Sequence, residues 1–152
     1  MIEEKLINKI KEKTTSLLSK MGILGKIKVK KEKEMVFVEI EVSEGETGLL
    51  IGRGGEGLEA FQHILRSLLL AEGHFIPLIL NIGNFREKEK ERLQRLAEAA
   101  ALKVKLTGKP EVLLPMSAYQ RRIVHLALAK IEEISEESLG EKPNRRIIIK
   151  PK

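Results

Sequence analysis

Two clusters in this sequence have residue types and spacing suited to chemistry. Gly52-Arg-Gly-Gly-Glu-Gly57 sets four glycines and one arginine between an apolar lead-in, Gly48–Ile51, and a run in which Leu58, Phe61, Leu65 and Leu68 recur at helical spacing. A glycine-rich turn at a helix N-terminus brings backbone N–H groups against a phosphate, because no side chain blocks the approach and the helix dipole favours negative charge. Arg53 adds a cation at the tip. The second cluster is Arg121 and His125, four residues apart on a run opened by Ser117 and Gln120, a capping-box pattern. At that spacing both side chains project from one helix face, where a guanidinium fork above an imidazole suits one phosphate. Each cluster also has a plainer reading: the glycines as a tight turn between helices, and the histidine as a structural side chain.

Other chemistries find little support. Gly52–Gly57 fits the G-x-G-x-x-G dinucleotide fingerprint, but that pattern counts only directly after a strand in a βαβ unit. Here Ser43-Glu-Gly-Glu46 precedes it, a second capping-box pattern that predicts a short helix. His63, His74 and His125 show no metal-ligand spacing, and no Gly-Lys-Ser/Thr phosphate loop occurs. With no cysteine, disulfides and thiol chemistry are ruled out. The glutamates lie beside lysines, as on solvated helix faces. The sequence thus predicts a binding protein rather than an enzyme, without metal or cofactor.

Composition agrees with a polyanionic partner. The chain of 152 residues is 42% hydrophobic, enough for a packed core, and carries a net charge of +6. Asn84–Pro110 holds eight Lys/Arg against four Glu, and Glu141–Lys152 holds five against one. Aromatic residues make up only 3%, which argues against readers that stack bases on exposed rings. No apolar run approaches the ~18 residues needed to span a bilayer, and the N-terminus lacks a signal-peptide core, so a soluble intracellular protein is expected.

The elements that must position these clusters follow from periodicity. Ile2, Leu6, Ile10, Leu17 and Met21 form the stripe of an amphipathic helix, preferred over a membrane-surface helix because strands follow at once. Lys26–Lys31 and Met35–Val42 alternate as a hairpin, with Val36, Val38, Ile40 and Val42 inward. A short helix at Glu44–Leu50, the glycine loop and a helix to about Glu72 come next, with Gly73 as the stop. Phe75–Ile82 contains Pro77 and reads as an edge strand. A second unit starts with a helix from Asn84, buried along Leu93, Leu96, Ala97, Ala100 and Val104, and ended by Thr107-Gly-Lys-Pro110. A short strand at Glu111–Leu114, a helix from Ser117 to about Lys130, and a hairpin of Ile134–Leu139 with Arg145–Lys150 complete it.

Ile51-Gly-Arg-Gly-Gly55 resembles the I-G-x-x-G signature of a KH domain, and the order helix, strand, strand, helix, helix, strand resembles its type II form. Met116-Ser-Ala-Tyr-Gln-Arg-Arg-Ile-Val-His-Leu-Ala-Leu128 resembles the R-x-x-x-H helix of the R-three-H domain, as do Leu106–Pro110 before it and Arg145–Pro151 after it. Together they resemble the bacterial Jag family, also called KhpB or EloR, across nearly the whole chain. The resemblance implies an α+β fold: a type II KH domain over 1–83 followed by a small α+β R-three-H domain over 84–152. It also implies a cytoplasmic protein that binds single-stranded RNA, linked to cell elongation and division, with a KhpA-like KH protein as partner. The alternative is a scaffold that pairs with another KH protein and binds little RNA itself; self-association and single-stranded DNA stay open. The family's positions fall on Gly52, Arg53, Gly54, Gly55, Arg121 and His125, to which charge and proximity add Tyr119, Arg122, Arg145 and Arg146. Two departures stand out. Family members usually carry an N-terminal Jag domain and linker, whereas these residues begin at the KH helix. Gly54 also occupies a loop position where a basic or polar residue is expected, leaving Arg53 as the one loop cation.

Overall fold

The computed structural model describes residues 1–152, a mixed α/β chain that divides into Met1–Arg86 and Glu87–Lys152. In the first unit, helix α1 (Ile2–Lys20) leads into strands β1 (Lys26–Glu32) and β2 (Met35–Glu41), helix α2 (Glu44–Ile51), a 3-10 turn at Arg53–Gly55, helix α3 (Glu56–Ala71) and strand β3 (Leu78–Ile82). The sheet order is β1-β2-β3. β1 runs antiparallel to β2, whereas β3 lies parallel to it, with Val38 opposite both Val29 and Leu80. A parallel neighbour cannot be reached by a tight turn and needs a crossover. α2, the glycine loop and α3 are that crossover, so the topology itself places the glycines between two helices.

Val36, Val38 and Ile40 alternate inward with Leu78, Leu80 and Ile82, and with Leu58, Phe61, Leu65 and Leu69 they make one apolar core. Two expected stripes shift by a position. In α3 Leu69 is buried and Leu68 exposed. In α1 the buried residues are Ile10, Thr14 and Leu18, while Ile2 and Met21 are exposed. The buried Thr14 hydroxyl donates to the Ile10 carbonyl at 2.7 Å, so the helix satisfies it internally. Gly73, at φ 83°, ends α3 with paired bonds from Gly73 N to Leu70 O and from His74 N to Leu69 O, both 2.9 Å. Glu72 beside it is held by Lys13 and then Lys9, which draw its carboxyl down to about 2. Ser43 starts α2 as expected, but without the capping bond from its side chain; Thr47 Oγ1 donates instead to the Ser43 carbonyl at 3.0 Å.

The second unit follows with helix α4 (Phe85–Thr107), strand β4 (Glu111–Val112), helix α5 (Ala118–Leu128) and strands β5 (Ile134–Leu139) and β6 (Arg146–Pro151). The division between units falls in the first turn of α4. Its sheet is antiparallel in the order β4-β6-β5, pairing Ile134 with Pro151, Glu136 with Ile149 and Leu139 with Arg146. Leu93, Ala97, Ala101 and Val104 from α4 meet Val124 and Leu128 from α5 and Ile134, Ile147 and Ile149 from the hairpin. α5 stops at Leu128, two residues before the expected end, and β4 is only two residues long. No helix is long and apolar enough to cross a membrane.

Candidate nucleic-acid interface

The glycine loop is built by close approach as much as by dihedral angles. Gly52, Gly54 and Gly55 have φ of 68°, 61° and 85°, a region that costs other residues strain. A Cβ on Gly52 would stand 2.9 Å from the Gly57 nitrogen, and one on Gly57 only 2.3 Å from the Leu50 carbonyl oxygen. The two outer glycines therefore let the end of α2 cross directly over the start of α3. Gly55 is buried, and a Cβ there would meet the Phe85 ring at 3.0 Å. Gly52, Arg53 and Gly54 remain exposed at the tip, ahead of the first turn of α3. A helix, not a strand, precedes the loop, which removes the context a dinucleotide fingerprint requires.

Below the loop, side chains close the outer edge of β3. Gln62 Oε1 accepts from Leu80 N at 2.8 Å, and Arg86 Nε donates to the Leu80 carbonyl at 2.8 Å. Arg86 Nη2 also donates to Gln62 Oε1 at 3.1 Å and lies 3.6 Å from Glu59. Arg66 Nε donates to the Leu78 carbonyl at 3.0 Å.

In the second unit, Ser117 caps α5 in both directions. Its Oγ accepts from Gln120 N at 3.2 Å, and Gln120 Oε1 accepts from Ser117 N at 3.0 Å. Gln120 in turn donates through Nε2 to Glu89 of α4 at 2.8 Å. Glu89 is buried and takes two bonds from Arg92, at 2.7 and 3.0 Å. The Arg92 guanidinium, with Gln120 assisting, holds the Glu89 carboxyl below the usual carboxylate range against the opposing pull of burial.

Arg121 Nη1 donates to the Met116 carbonyl at 2.6 Å, and Met116 N donates to the Arg145 carbonyl at 3.0 Å. The start of α5 and the approach to β6 are thereby joined, bringing the backbone of Arg145 to the segment that carries Arg121. Arg145 Nε donates to Ser138 Oγ at 2.8 Å and Arg146 Nε to the Asn144 carbonyl at 3.1 Å. Tyr119 is half-buried and Arg122 exposed on α5. His125, on the last turns of α5, meets Glu136 of β5 through Nδ1, with its side chain 59% exposed against 15% for Glu136.

The basic run of α4 is less available than its composition suggests. Of its seven Lys/Arg, Arg86, Arg92, Arg95, Lys103 and Lys105 all face a glutamate within 4 Å. Sequence reasoning missed Glu89 and Glu136, although both left a trace. Glu89 lies on the same stripe as Leu93, Ala97 and Ala100, and Glu136 is two residues after the inward Ile134, on the same strand face.

Residues 91–151 match the R-three-H domain. Over 120 residues the chain is 38% identical to the RNA-binding protein KhpB of Clostridium symbiosum, covering 78% of this chain and 52% of that protein. The KhpB of Bacillus subtilis is 31% identical over 134 residues, covering 86% and 64%. That of Lactiplantibacillus plantarum is 32% identical over 103 residues, covering 67% and 32%. The chain thus spans about half the length of the curated relatives it matches. An R-three-H domain on α4–β6 and these similarities along most of the sequence place the chain in the Jag/KhpB family.

Proposed function

We propose that the chain binds single-stranded RNA without catalysing a reaction, through a KH-type clamp at Gly52–Gly55 and an R-three-H site centred on Arg121 and His125. The observation that carries this reading is the exposed glycine tip at the head of α3, where backbone donors, a helix N-terminus and Arg53 converge. The parallel β2–β3 pair, with α2 and α3 in the crossover, supports the type II form of KH domain over 1–83, with the R-three-H domain over 84–152. The relatives are named RNA-binding proteins, which supports the ligand. Family membership also supports a cytoplasmic role in control of cell elongation and a KhpA-like KH protein as partner.

Fluorescence polarisation with a short single-stranded RNA tests the two sites. Arg53→Ala combined with Gly54→Asp, and Arg121→Ala combined with His125→Ala, are each expected to weaken binding about tenfold or more, the scale of one lost charge-assisted contact. Loss in one pair alone would identify the working module. Equal affinity in all three proteins would leave only generic basic attraction and end the two-site reading.

A further inference from the structure

We propose that Glu136 is a positioning residue that makes the RNA contact of His125 depend on a proton. The inference rests on the reading of the R-three-H site above and adds a mechanism to it. Glu136 engages Nδ1 of His125, and an ionised carboxylate only accepts hydrogen bonds. The pairing therefore keeps a proton on Nδ1. In the neutral ring, the other nitrogen, Nε2, is then left with a lone pair and no proton. A phosphodiester oxygen is also an acceptor, so the neutral ring has nothing to offer it. Once a second proton reaches Nε2, the imidazolium donates to phosphate while still bonded to Glu136. The Nδ1 pairing thus turns an ordinary histidine into a phosphate donor that works only when charged.

The surroundings leave Glu136 as the group that sets this choice. β5 and β6 present Ile134, Ile147 and Ile149 beside it, all buried. Among the charged side chains of neighbouring elements, Glu89 pairs with Arg92, Lys105 with Glu133, Lys103 with Glu111, and Lys150 with Glu137. Arg121 and Arg122 lie one turn back on the same helix, and Arg121 is tied to Met116. Glu136 itself is mostly buried while the imidazole is mostly exposed, the arrangement of a fixed support under a reachable donor.

Two measurements on the full chain test this. Long-range nitrogen–proton spectra of the RNA-free protein at alkaline pH should show the Nδ1–H form of His125, reverting toward the Nε2–H form in Glu136→Ala. Affinity for a short single-stranded RNA should rise about three- to tenfold from pH 8 to pH 6 in the wild type. The slope should flatten to that of His125→Ala in Glu136→Ala, whose freed ring can offer Nε2–H without protonation. Glu136→Gln, whose amide oxygen still accepts from Nδ1–H, should keep the wild-type slope and shows that the fold tolerates change at this position. An Nε2–H tautomer in the wild type, or a wild-type slope in Glu136→Ala, overturns the proposal while leaving RNA binding intact. No RNA binding by any variant at any pH overturns the binding function itself, and the phosphate role with it.

Discussion

A methyl group at Gly57 would stand 2.3 Å from the carbonyl oxygen of Leu50, a backbone atom that cannot rotate away. Gly57→Ala should therefore force α2 and α3 apart and cost about 1–3 kcal/mol, read as a lower urea midpoint at unchanged slope. Gly54 stands at the exposed tip with φ 61°, a conformation that aspartate tolerates better than most residues. Gly54→Asp should thus cost under about 1 kcal/mol of stability while setting a negative charge where phosphate is expected. The two glycines read alike in sequence, and the G-x-G-x-x-G spacing invites one explanation for both. Only the chain crossing separates the packing glycine from the tip glycine. The shared helix face of Arg121 and His125 was legible from their i, i+4 spacing, but Glu136 was not, because the packing of α5 against β5 and not sequence distance brings it to the ring.

Among the elements, α5 depends on α4 through Arg92, Glu89, Gln120 and Ser117 in series. Glu89→Ala removes the acceptor for the Gln120 amide and should cost about 1–3 kcal/mol, with earlier amide exchange in the first turn of α5. Acid should act on the same bond. A carboxyl held below its unfolded value contributes stability that is full above the ordinary range near about 4 and is lost as pH falls through the folded value. Urea unfolding between pH 5 and pH 2 should show this loss in the wild type and less of it in Glu89→Gln. The helices and strands themselves were legible, since the Ser117 capping box, the Gly73 stop and the alternation of Val36, Val38 and Ile40 are local signals. The Ser43 box failed because the Glu46 N–H that its hydroxyl would cap bonds the Ser43 carbonyl instead, at 3.1 Å, a choice that residue types alone do not rank.

For the whole molecule, charge decides less than composition suggested, because most of the cations of α4 already face glutamates. If binding neutralises about six phosphates, log affinity should fall with log salt at a slope of roughly −4, measurable by polarisation between about 50 and 300 mM salt. A slope near zero would place the affinity in uncharged contacts instead. The closed flank of β3 carries a consequence for assembly. Open sheet edges invite other chains to add a strand. On this flank the Leu78 carbonyl and both backbone groups of Leu80 are already taken by Arg66, Gln62 and Arg86. Three side chains of the same unit thus seal one side of its sheet, and a protein that joined that sheet by strand exchange would have to come along β1.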